Sequence, residues 1–219
     1  MTFNEFNLKD LLQKAIDEAG FKEPSPIQEQ AIPFVLAGRD IVGQAHTGTG
    51  KTAAFGLPIL NNMKGNSGVE AVVIVPTREL AMQVSDELYR FGKFLGVNTA
   101  TVYGGQAYAR QIKLIENAGI IVATPGRFLD LLRGSKIDIK PDYVILDEAD
   151  EMLDMGFLDD IKEIFTFLPE ERQTLLFSAT MPVAIKNLAK TILKDPEFIT
   201  LTKKDVTNSK ITQTFYVVD

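Results

Sequence analysis

The sequence contains no cysteine and no tryptophan. Without cysteine the chain can form neither a disulfide framework nor a metal site built from thiolates. A protein without disulfides fits the reducing environment of the cytosol. We therefore expect a cytoplasmic location.

Long apolar runs and an excess of positive charge are also missing. The first ten residues, MTFNEFNLKD, lack the basic and apolar segments of a secretory signal, and no stretch approaches the ~20 apolar residues of a membrane span. We therefore expect a soluble protein with no membrane partner. The 29 acidic side chains outnumber the 23 basic ones, giving a net charge of −6. This is the wrong sign for non-specific binding to polyanions, so any contact with nucleic acid must be local.

What the sequence does contain is a regular alternation of short apolar runs and amphipathic stretches. The apolar runs are continuous and rich in valine and isoleucine, which predicts strands covered on both faces. With helical patterns between them, they predict an α/β fold with a parallel β-sheet of about seven strands flanked by helices on both faces. Ligands should bind at the carboxyl ends of the strands. The predicted strands are Asp40–Gln44, Ala71–Val75, Asn98–Val102, Gly119–Ala123, Tyr143–Leu146, Gln173–Ser178 and Phe198–Leu201, and the clearest helices are Glu79–Phe94, Ala107–Asn117, Phe157–Leu168 and Pro182–Leu193.

A glycine-containing segment, AHTGTGKT, connects the first predicted strand to a helix, as a phosphate-binding P-loop does. Its glycines let backbone N–H groups converge on phosphate oxygens, and Lys51 can reach the β and γ phosphates of ATP. Thr52 can offer its hydroxyl to Mg²⁺. The usual pattern begins with glycine, so Ala45 fits only if the backbone there needs no positive φ. His46 occupies an unspecified position and should be exposed. The predicted nucleotide-binding residues of this loop are Gly48, Thr49, Gly50, Lys51 and Thr52.

An acidic segment follows the fifth predicted strand, where Asp147, Glu148, Ala149 and Asp150 are consecutive. Alone, this tetrapeptide would be an ordinary solvated helix start. With a P-loop upstream, it is the place where Mg²⁺ needs a carboxylate and where a second carboxylate can orient the attacking water. We assign Asp147 and Thr52 to the metal, and we assign Glu148 as the general base.

Asp-Glu-Ala-Asp together with the P-loop resembles the DEAD-box family of RNA helicases. Further motifs extend the resemblance across nearly the whole chain. Residues 20–28, GFKEPSPIQ, resemble the adenine-recognition motif of the family, with Phe3 at the spacing of its upstream aromatic residue. Residues 76–80, 104–105 and 124–127 resemble its three RNA-contacting segments, and residues 178–180 resemble the motif that couples hydrolysis to strand separation.

The resemblance implies a RecA-like domain that binds ATP, Mg²⁺ and the RNA backbone. It implies that Gln28 and Phe21 contact adenine, although Ser25 and Gln28 also match a helix capping box. The implied RNA-binding residues are Thr77, Arg78, Gly104, Gly105, Thr124, Pro125, Gly126 and Arg127. The same turns could instead be plain helix starts with threonine caps.

Ser178, Thr180 and Asp150 are the implied coupling residues. Ser178 and Thr180 also suit a simpler role as caps of the helix near Pro182. Met152, Met155 and Phe157 are expected to pack in the core around the Asp147 strand.

The chain divides, on this interpretation, into an adenine-recognition segment at 1–38, an ATP-binding core at 39–203, and a linker at 204–219 that begins a second RecA-like domain. The lone apolar run Ile211–Val218 motivates the last boundary. Hydrolysis would then require the second domain, so these 219 residues alone should be poorly active. The predicted function is an ATP-dependent RNA helicase. The alternatives are an RNA clamp gated by ATP and a DNA-directed motor with the same loop.

Overall fold

The computed structural model describes residues 1–65 and 68–201. The predicted linker and the apolar run Ile211–Val218 lie outside the described residues. Within the described ranges, no helix has the length and apolar character needed to cross a membrane. The cytoplasmic location stays a prediction.

The predicted parallel sheet is confirmed. Seven strands pair in the order β3-β4-β2-β5-β6-β1-β7, and every pair is parallel. The strands are β1 (Ile41–Gln44), β2 (Ala71–Ile74), β3 (Thr99–Val102), β4 (Ile120–Ala123), β5 (Tyr143–Leu146), β6 (Gln173–Ser178) and β7 (Glu197–Thr200).

Helices cover both faces of this sheet, and two short 3₁₀ turns lie at Phe3–Phe6 and Lys93–Leu95. The helices are α1 (Asp10–Glu18), α2 (Pro26–Leu36), α3 (Lys51–Asn62), α4 (Arg78–Gly92), α5 (Tyr108–Ile115), α6 (Pro125–Arg133), α7 (Ala149–Asp154), α8 (Leu158–Phe167) and α9 (Val183–Ile192).

Two apolar cores lie on opposite faces of the sheet because successive side chains of a strand point in opposite directions. In β5, Ile145 joins the core beneath α1 to α4, whereas Val144 and Leu146 join the core beneath α5 to α9. Central strands therefore need apolar residues at every position, which is the continuous pattern in the sequence. The segment 1–38 packs on the first of these cores through residues such as Phe3 and Ile27.

The strand order sorts the carboxyl ends of the strands into two neighbouring groups. The turns with the predicted RNA-binding residues follow β2, β3 and β4, which are adjacent in the sheet. The P-loop, the acidic segment and Ser178 belong to β1, β5 and β6, which are also adjacent. Because β2 pairs with β5, the two groups meet along one edge of the sheet.

Candidate functional site

The loop between β1 and α3 has the backbone that phosphate binding requires. Gly48 and Gly50 have φ values of +80° and +87°, in the left-handed region that favours glycine. Ala45 is buried and has no positive φ, so alanine is compatible with that position. His46 is exposed, as predicted. Helix α3 begins directly after this loop, so the positive end of its dipole lies at the loop.

Gln28 holds this loop from α2. Its Nε2 donates to the Gly50 carbonyl at 3.0 Å, its Oε1 accepts from the Ser25 N–H at 2.9 Å, and its side chain is buried. Ser25 in turn donates its hydroxyl to the Thr49 carbonyl at 2.8 Å. The capping interaction considered in the sequence is therefore present, and the same amide supports the P-loop. Among the described residues, one N–H and one lone pair of Gln28 have no partner beyond these bonds, and adenine contact stays a prediction.

Phe21 lies in an aromatic cluster beside this region. Its ring packs edge-on against Phe3 and Phe91, with centroids 6.1 and 5.8 Å away. Phe3 and Phe21 also line a surface pocket of about 390 Å³. Within the described residues, no hydrogen bond or ring contact joins Phe21 to the P-loop. Its role as a wall for adenine therefore stays a prediction.

Lys51, Asp147 and Glu148 form the centre of the site. The Lys51 ammonium lies 3.2 Å from Asp147 Oδ1 and 3.5 Å from Glu148 Oε1. Lys51 and Asp147 are both buried, and Glu148 is 13% exposed. The structure thus joins the lysine at the start of α3 to the carboxylates at the end of β5, although 95 residues of sequence lie between Lys51 and Asp147.

Glu148 adopts a left-handed backbone conformation, with φ 57° and ψ 51°. This conformation is strained for a residue with a side chain, and such strain often marks functional sites. Thr47 fixes the carboxylate by donating its hydroxyl to Glu148 Oε1 at 2.9 Å. Glu148 is therefore held between the P-loop and the start of α7.

The electrostatics of Asp147 are set mainly by its burial. Burial raises the pKa of Asp147, and the neighbouring Lys51 opposes this effect. The ionised form of a buried carboxylate is stabilised when a cation approaches it. A positive charge brought by a ligand would therefore stabilise the ionised form of Asp147.

Glu87 is a third carboxylate in this region that sequence reasoning missed. Burial raises its pKa, the nearby Thr52 hydroxyl opposes this effect, and the charge of Asp147 adds to it. The buried residues Val84 and Phe91 lie three and four positions away from it on α4. A carboxylate on the apolar face of an amphipathic helix was the available signal.

The groups present suit Mg²⁺ brought in with a nucleotide. A hydroxyl and carboxylates are hard oxygen donors, and Mg²⁺ in nucleotide sites is usually bound by one or two protein groups, phosphates and water. Across residues 1–65 and 68–201, no cluster of three or more His, Cys, Asp or Glu side chains could hold a metal by itself. Thr52 and Asp147 therefore fit a shared Mg²⁺ site better than a metal cage made only of protein.

Asp150 connects the acidic segment to the end of β6. Its Oδ2 accepts from both the N–H and the hydroxyl of Thr180, each at 2.8 Å, and Ser178 accepts from the Asp150 N–H at 3.1 Å. Partial burial raises the pKa of Asp150, but these hydrogen bonds prevail and lower it. The structure therefore brings Ser178, Thr180 and Asp150 together, in the grouping that was predicted.

The simpler role considered for Ser178 and Thr180 was wrong. Pro182 occupies the cap position of α9, and no side chain caps that helix. The Thr180 hydroxyl is instead bonded to Asp150, and Ser178 donates to the Thr180 carbonyl at 2.7 Å. Ser178 satisfies an N–H group in the first turn of α7, a different helix from the expected one.

Met155 also departs from its prediction. Met152 is buried and Phe157 packs against the core, as expected, but Met155 is 49% exposed. The reason is that α7 ends at Asp154, so Met155 lies at its C-cap, outside the core-facing positions.

The three turns after β2, β3 and β4 combine helix starts with exposed polar groups. Thr77 caps α4 by accepting from the Leu80 N–H at 3.2 Å. Thr124 occupies the cap position of α6 without a side-chain cap bond, and Pro125 is in its first turn. Gly105 has a φ of +86°, and no atom lies within 4 Å of where its side chain, or that of Gly104, would begin. The helix-start alternative is therefore correct for Thr77, and RNA binding by these turns stays a prediction.

The two arginines of these turns stack on aromatic rings. Arg78 lies 4.6 Å from the centroid of Tyr103, and Arg127 lies 4.4 Å from that of Tyr108. Arg127 also donates to the Gln106 carbonyl at 2.7 Å and to Gln111 at 2.9 Å. Gly126 is half-buried beside it. Local positive charge is thus presented at this edge despite the negative net charge of the chain.

Comparisons with known proteins agree with these observations. A family model described as DEAD/DEAH box helicase matches residues 25–188. The DEAD-box ATP-dependent RNA helicase RhpA of Helicobacter pylori is 56% identical over 100% of this chain and 45% of its own length. The DEAD-box ATP-dependent RNA helicase CshA of Bacillus subtilis is 49% identical over 99% of this chain and 44% of its own length.

Solved structures with this fold are similar too. A DEAD box protein from Methanococcus jannaschii has a TM-score of 0.89 and 46% identity, over 91% of this chain and 56% of that protein. A hypothetical ATP-dependent RNA helicase from Sulfolobus tokodaii has a TM-score of 0.83 and 42% identity, over 89% of this chain and 57% of that protein. The chain therefore spans about half the length of the proteins that it matches.

Proposed function

Because the chain belongs to the DEAD/DEAH box helicase family, we propose that it is the ATP-binding domain of an ATP-dependent RNA helicase. It binds ATP with Mg²⁺ and the backbone of RNA. Hydrolysis to ADP and phosphate, and the unwinding of RNA duplexes, require a second RecA-like domain.

The observation that carries this proposal is the contact of Lys51 with both Asp147 and Glu148 beneath the P-loop. A lysine at the start of α3 can turn from the carboxylates to the β and γ phosphates of ATP. Asp147 and the Thr52 hydroxyl are the groups that would hold Mg²⁺ brought in with the nucleotide, and the bound ion would supply positive charge opposite the phosphates. Phosphate binding and metal binding thus converge on the same buried point.

Glu148 is placed to act on water. Its carboxylate lies at the rim of the site, where it is 13% exposed, whereas Asp147 is 3% exposed. The strained backbone at Glu148 and the hydroxyl of Thr47 fix its direction. We assign Glu148 the orientation of the attacking water and acceptance of its proton.

Two further features support binding of RNA beside the ATP site. The turns after β2, β3 and β4 lie side by side and carry two glycines with open space around them and two arginines. Such groups contact phosphates and fix a strand without reading its sequence. The pairing of β2 with β5 places these turns next to the acidic segment, and the Asp150–Thr180 contact lies on the far side of that segment.

The need for a second domain follows from the negative charge that develops on the phosphates in the transition state. Phosphoryl transfer in such enzymes depends on an arginine that stabilises the transition state, supplied in cis or in trans, and this is worth roughly 10³ or more in rate. The relatives are more than twice as long as this chain. We propose that their additional length supplies the second domain and that this chain alone hydrolyses ATP slowly.

The decisive experiment compares Glu148→Gln with Asp147→Asn in the full-length protein. Glu148→Gln should keep the affinity for ATP and Mg²⁺ and lose hydrolysis, because the metal keeps its carboxylate. Asp147→Asn should weaken Mg²⁺-dependent binding, since a charge opposite the metal is lost in the ground state as well.

The measurements are ATP affinity and single-turnover hydrolysis across a Mg²⁺ titration, with and without RNA. Asp154→Asn is the matched control, because Asp154 is an exposed carboxylate at the end of the same helix. It should leave both quantities unchanged. Hydrolysis at the parental rate by Glu148→Gln would exclude Glu148 as the base, and hydrolysis by the parent that RNA fails to stimulate would contradict the helicase proposal.

A further inference from the structure

The three proposed RNA-binding turns are connected by side chains that no motif of the sequence identified. Arg78, after β2, stacks on Tyr103, after β3. The Tyr103 carbonyl accepts from Gln111 Nε2 at 2.8 Å, and Gln111 Oε1 accepts from Arg127 Nη1, after β4, at 2.9 Å. We infer that Gln111 is a positioning residue, which aligns these turns for the RNA backbone and acts through Arg127. This inference rests on the proposed function.

Gln111 cannot itself touch RNA because its relative exposure is 0%. It projects from α5, and both ends of its amide are occupied by groups from two different turns. A buried amide costs free energy unless it is hydrogen-bonded, so its presence here needs partners on both turns. Gln111 therefore fixes the distance between the turn after β3 and the turn after β4.

Arg127 is held so that part of its guanidinium stays available. Both N–H groups of Nη1 are used, one on Gln111 and one on the Gln106 carbonyl. The guanidinium also stacks on Tyr108. Among the described residues, the N–H groups of Nε and Nη2 have no hydrogen-bond partner. Two N–H groups on adjacent nitrogens match the fork geometry with which arginine binds a phosphate.

Loss of the Gln111 amide should therefore weaken RNA binding without removing any charge. In Gln111→Met the side-chain length is kept, but Arg127 loses one acceptor and the Tyr103 carbonyl loses its donor. Arg127 can then adopt other rotamers, and an ordered phosphate contact becomes an intermittent one. Because the phosphate contact of Arg127 becomes intermittent but is not abolished, we expect a loss of RNA affinity of roughly tenfold.

The test measures binding of a fluorescent uridylate decamer to the full-length protein with Mg²⁺ and a non-hydrolysable ATP analogue. Gln111→Met, Arg127→Met and the double variant are compared at several salt concentrations. If Gln111 acts through Arg127, the double variant should bind RNA no more weakly than Arg127→Met alone. The dependence of affinity on salt should also fall in Gln111→Met, because one phosphate contact is lost although the net charge is unchanged.

Gln173→Met is the matched control. Gln173 is also a buried amide, and its Nε2 donates to the carbonyls of Val35 and Arg39 at 3.1 and 2.7 Å. It lies at the start of β6, at the opposite edge of the sheet from the RNA turns. Gln173→Met should lower the melting temperature and leave RNA affinity unchanged. Gln111→Met should lower RNA affinity and leave affinity for the ATP analogue unchanged.

Three results would overturn the inference. The first is parental RNA affinity in a folded Gln111→Met variant, and the second is full additivity of the two substitutions in the double variant. The third is an equal loss of RNA affinity in Gln173→Met, which would show that lower stability is the cause. Failure of the parent itself to bind the decamer would instead refute the proposed RNA function.

Discussion

Replacing Gly50 by alanine would put a methyl group where the Gln28 amide now lies. The new Cβ would be 2.4 Å from Gln28 Nε2 and 3.2 Å from Ser25 Oγ. The backbone at Gly50 also has a φ of +87°, which is unfavourable for any residue with a side chain. Gly50→Ala should therefore lower the free energy of unfolding for two reasons, the steric contact with Gln28 and the unfavourable backbone conformation.

The sizes of the two effects can be separated by using Gly48 as a control. Gly48 has a φ of +80°, but a Cβ there would meet no atom within 4 Å. Gly48→Ala should then cost only the left-handed strain, about 1–2 kcal/mol. Gly50→Ala should cost the same strain plus the displaced hydrogen bond of Gln28, about 2–4 kcal/mol together.

Urea unfolding of the 219-residue chain, followed by circular dichroism, measures both losses from the transition midpoints at an unchanged slope. In a Gln28→Ala background the 2.4 Å contact is gone and only that with Ser25 Oγ at 3.2 Å stays, so most of the difference between the two alanine substitutions should disappear. Equal costs in the parental background would refute the reasoning, because they would show that the Gln28 amide moves away freely.

Two other predictions concern adenine selectivity and the coupling residues. If the remaining donor and acceptor of Gln28 bind adenine, ADP should bind about ten- to hundredfold more tightly than GDP, and equal dissociation constants by calorimetry would exclude this contact. Hydrogen bonds from Thr180 outweigh partial burial and lower the pKa of Asp150. A lowered pKa contributes stability above the unfolded-state value, about 4, and loses it as the pH falls through the folded-state value. The urea midpoint of the parent should therefore be higher than that of Asp150→Asn at neutral pH, and this difference should shrink below about pH 4. A difference that stays constant down to about pH 2 would contradict this assignment.

The strands were predictable because their physical cause is local. A central parallel strand is covered on both faces, so it needs about four or five consecutive apolar residues. Such a run can be recognised in the sequence without knowledge of the fold. The predicted runs agree with the observed strands within about one residue, as for Asp40–Gln44 against Ile41–Gln44. The expected cover on both faces is wrong for the edge strands β3 and β7, where buried positions alternate with more exposed ones and Phe198 is exposed. The order of the strands in the sheet depends on pairing between distant segments, and no local pattern encodes it.

The P-loop motif predicted where glycine is needed, as at Gly50, but the left-handed backbone of Glu148 and the contacts between distant side chains were not predictable from the sequence. Gln111 lies on α5 with an ordinary helical pattern, and only the fold shows that it contacts two turns. The cap considered as an alternative role for Thr180 was wrong for the same reason, since its hydroxyl donates to Asp150, 30 residues away. Local helix-start rules cannot anticipate such competition.

The ion pair of Lys51 has a consequence for electroneutrality. One ammonium faces two carboxylates, Asp147 and Glu148, so the buried end of the pocket has an excess of negative charge when all three are ionised. A bare triphosphate would add like charge where water screens it least. A nucleotide that arrives with its divalent cation restores the balance and releases Lys51 to the phosphates. On the proposed function, charge balance therefore favours a nucleotide that arrives as its complex with a divalent cation over the bare triphosphate.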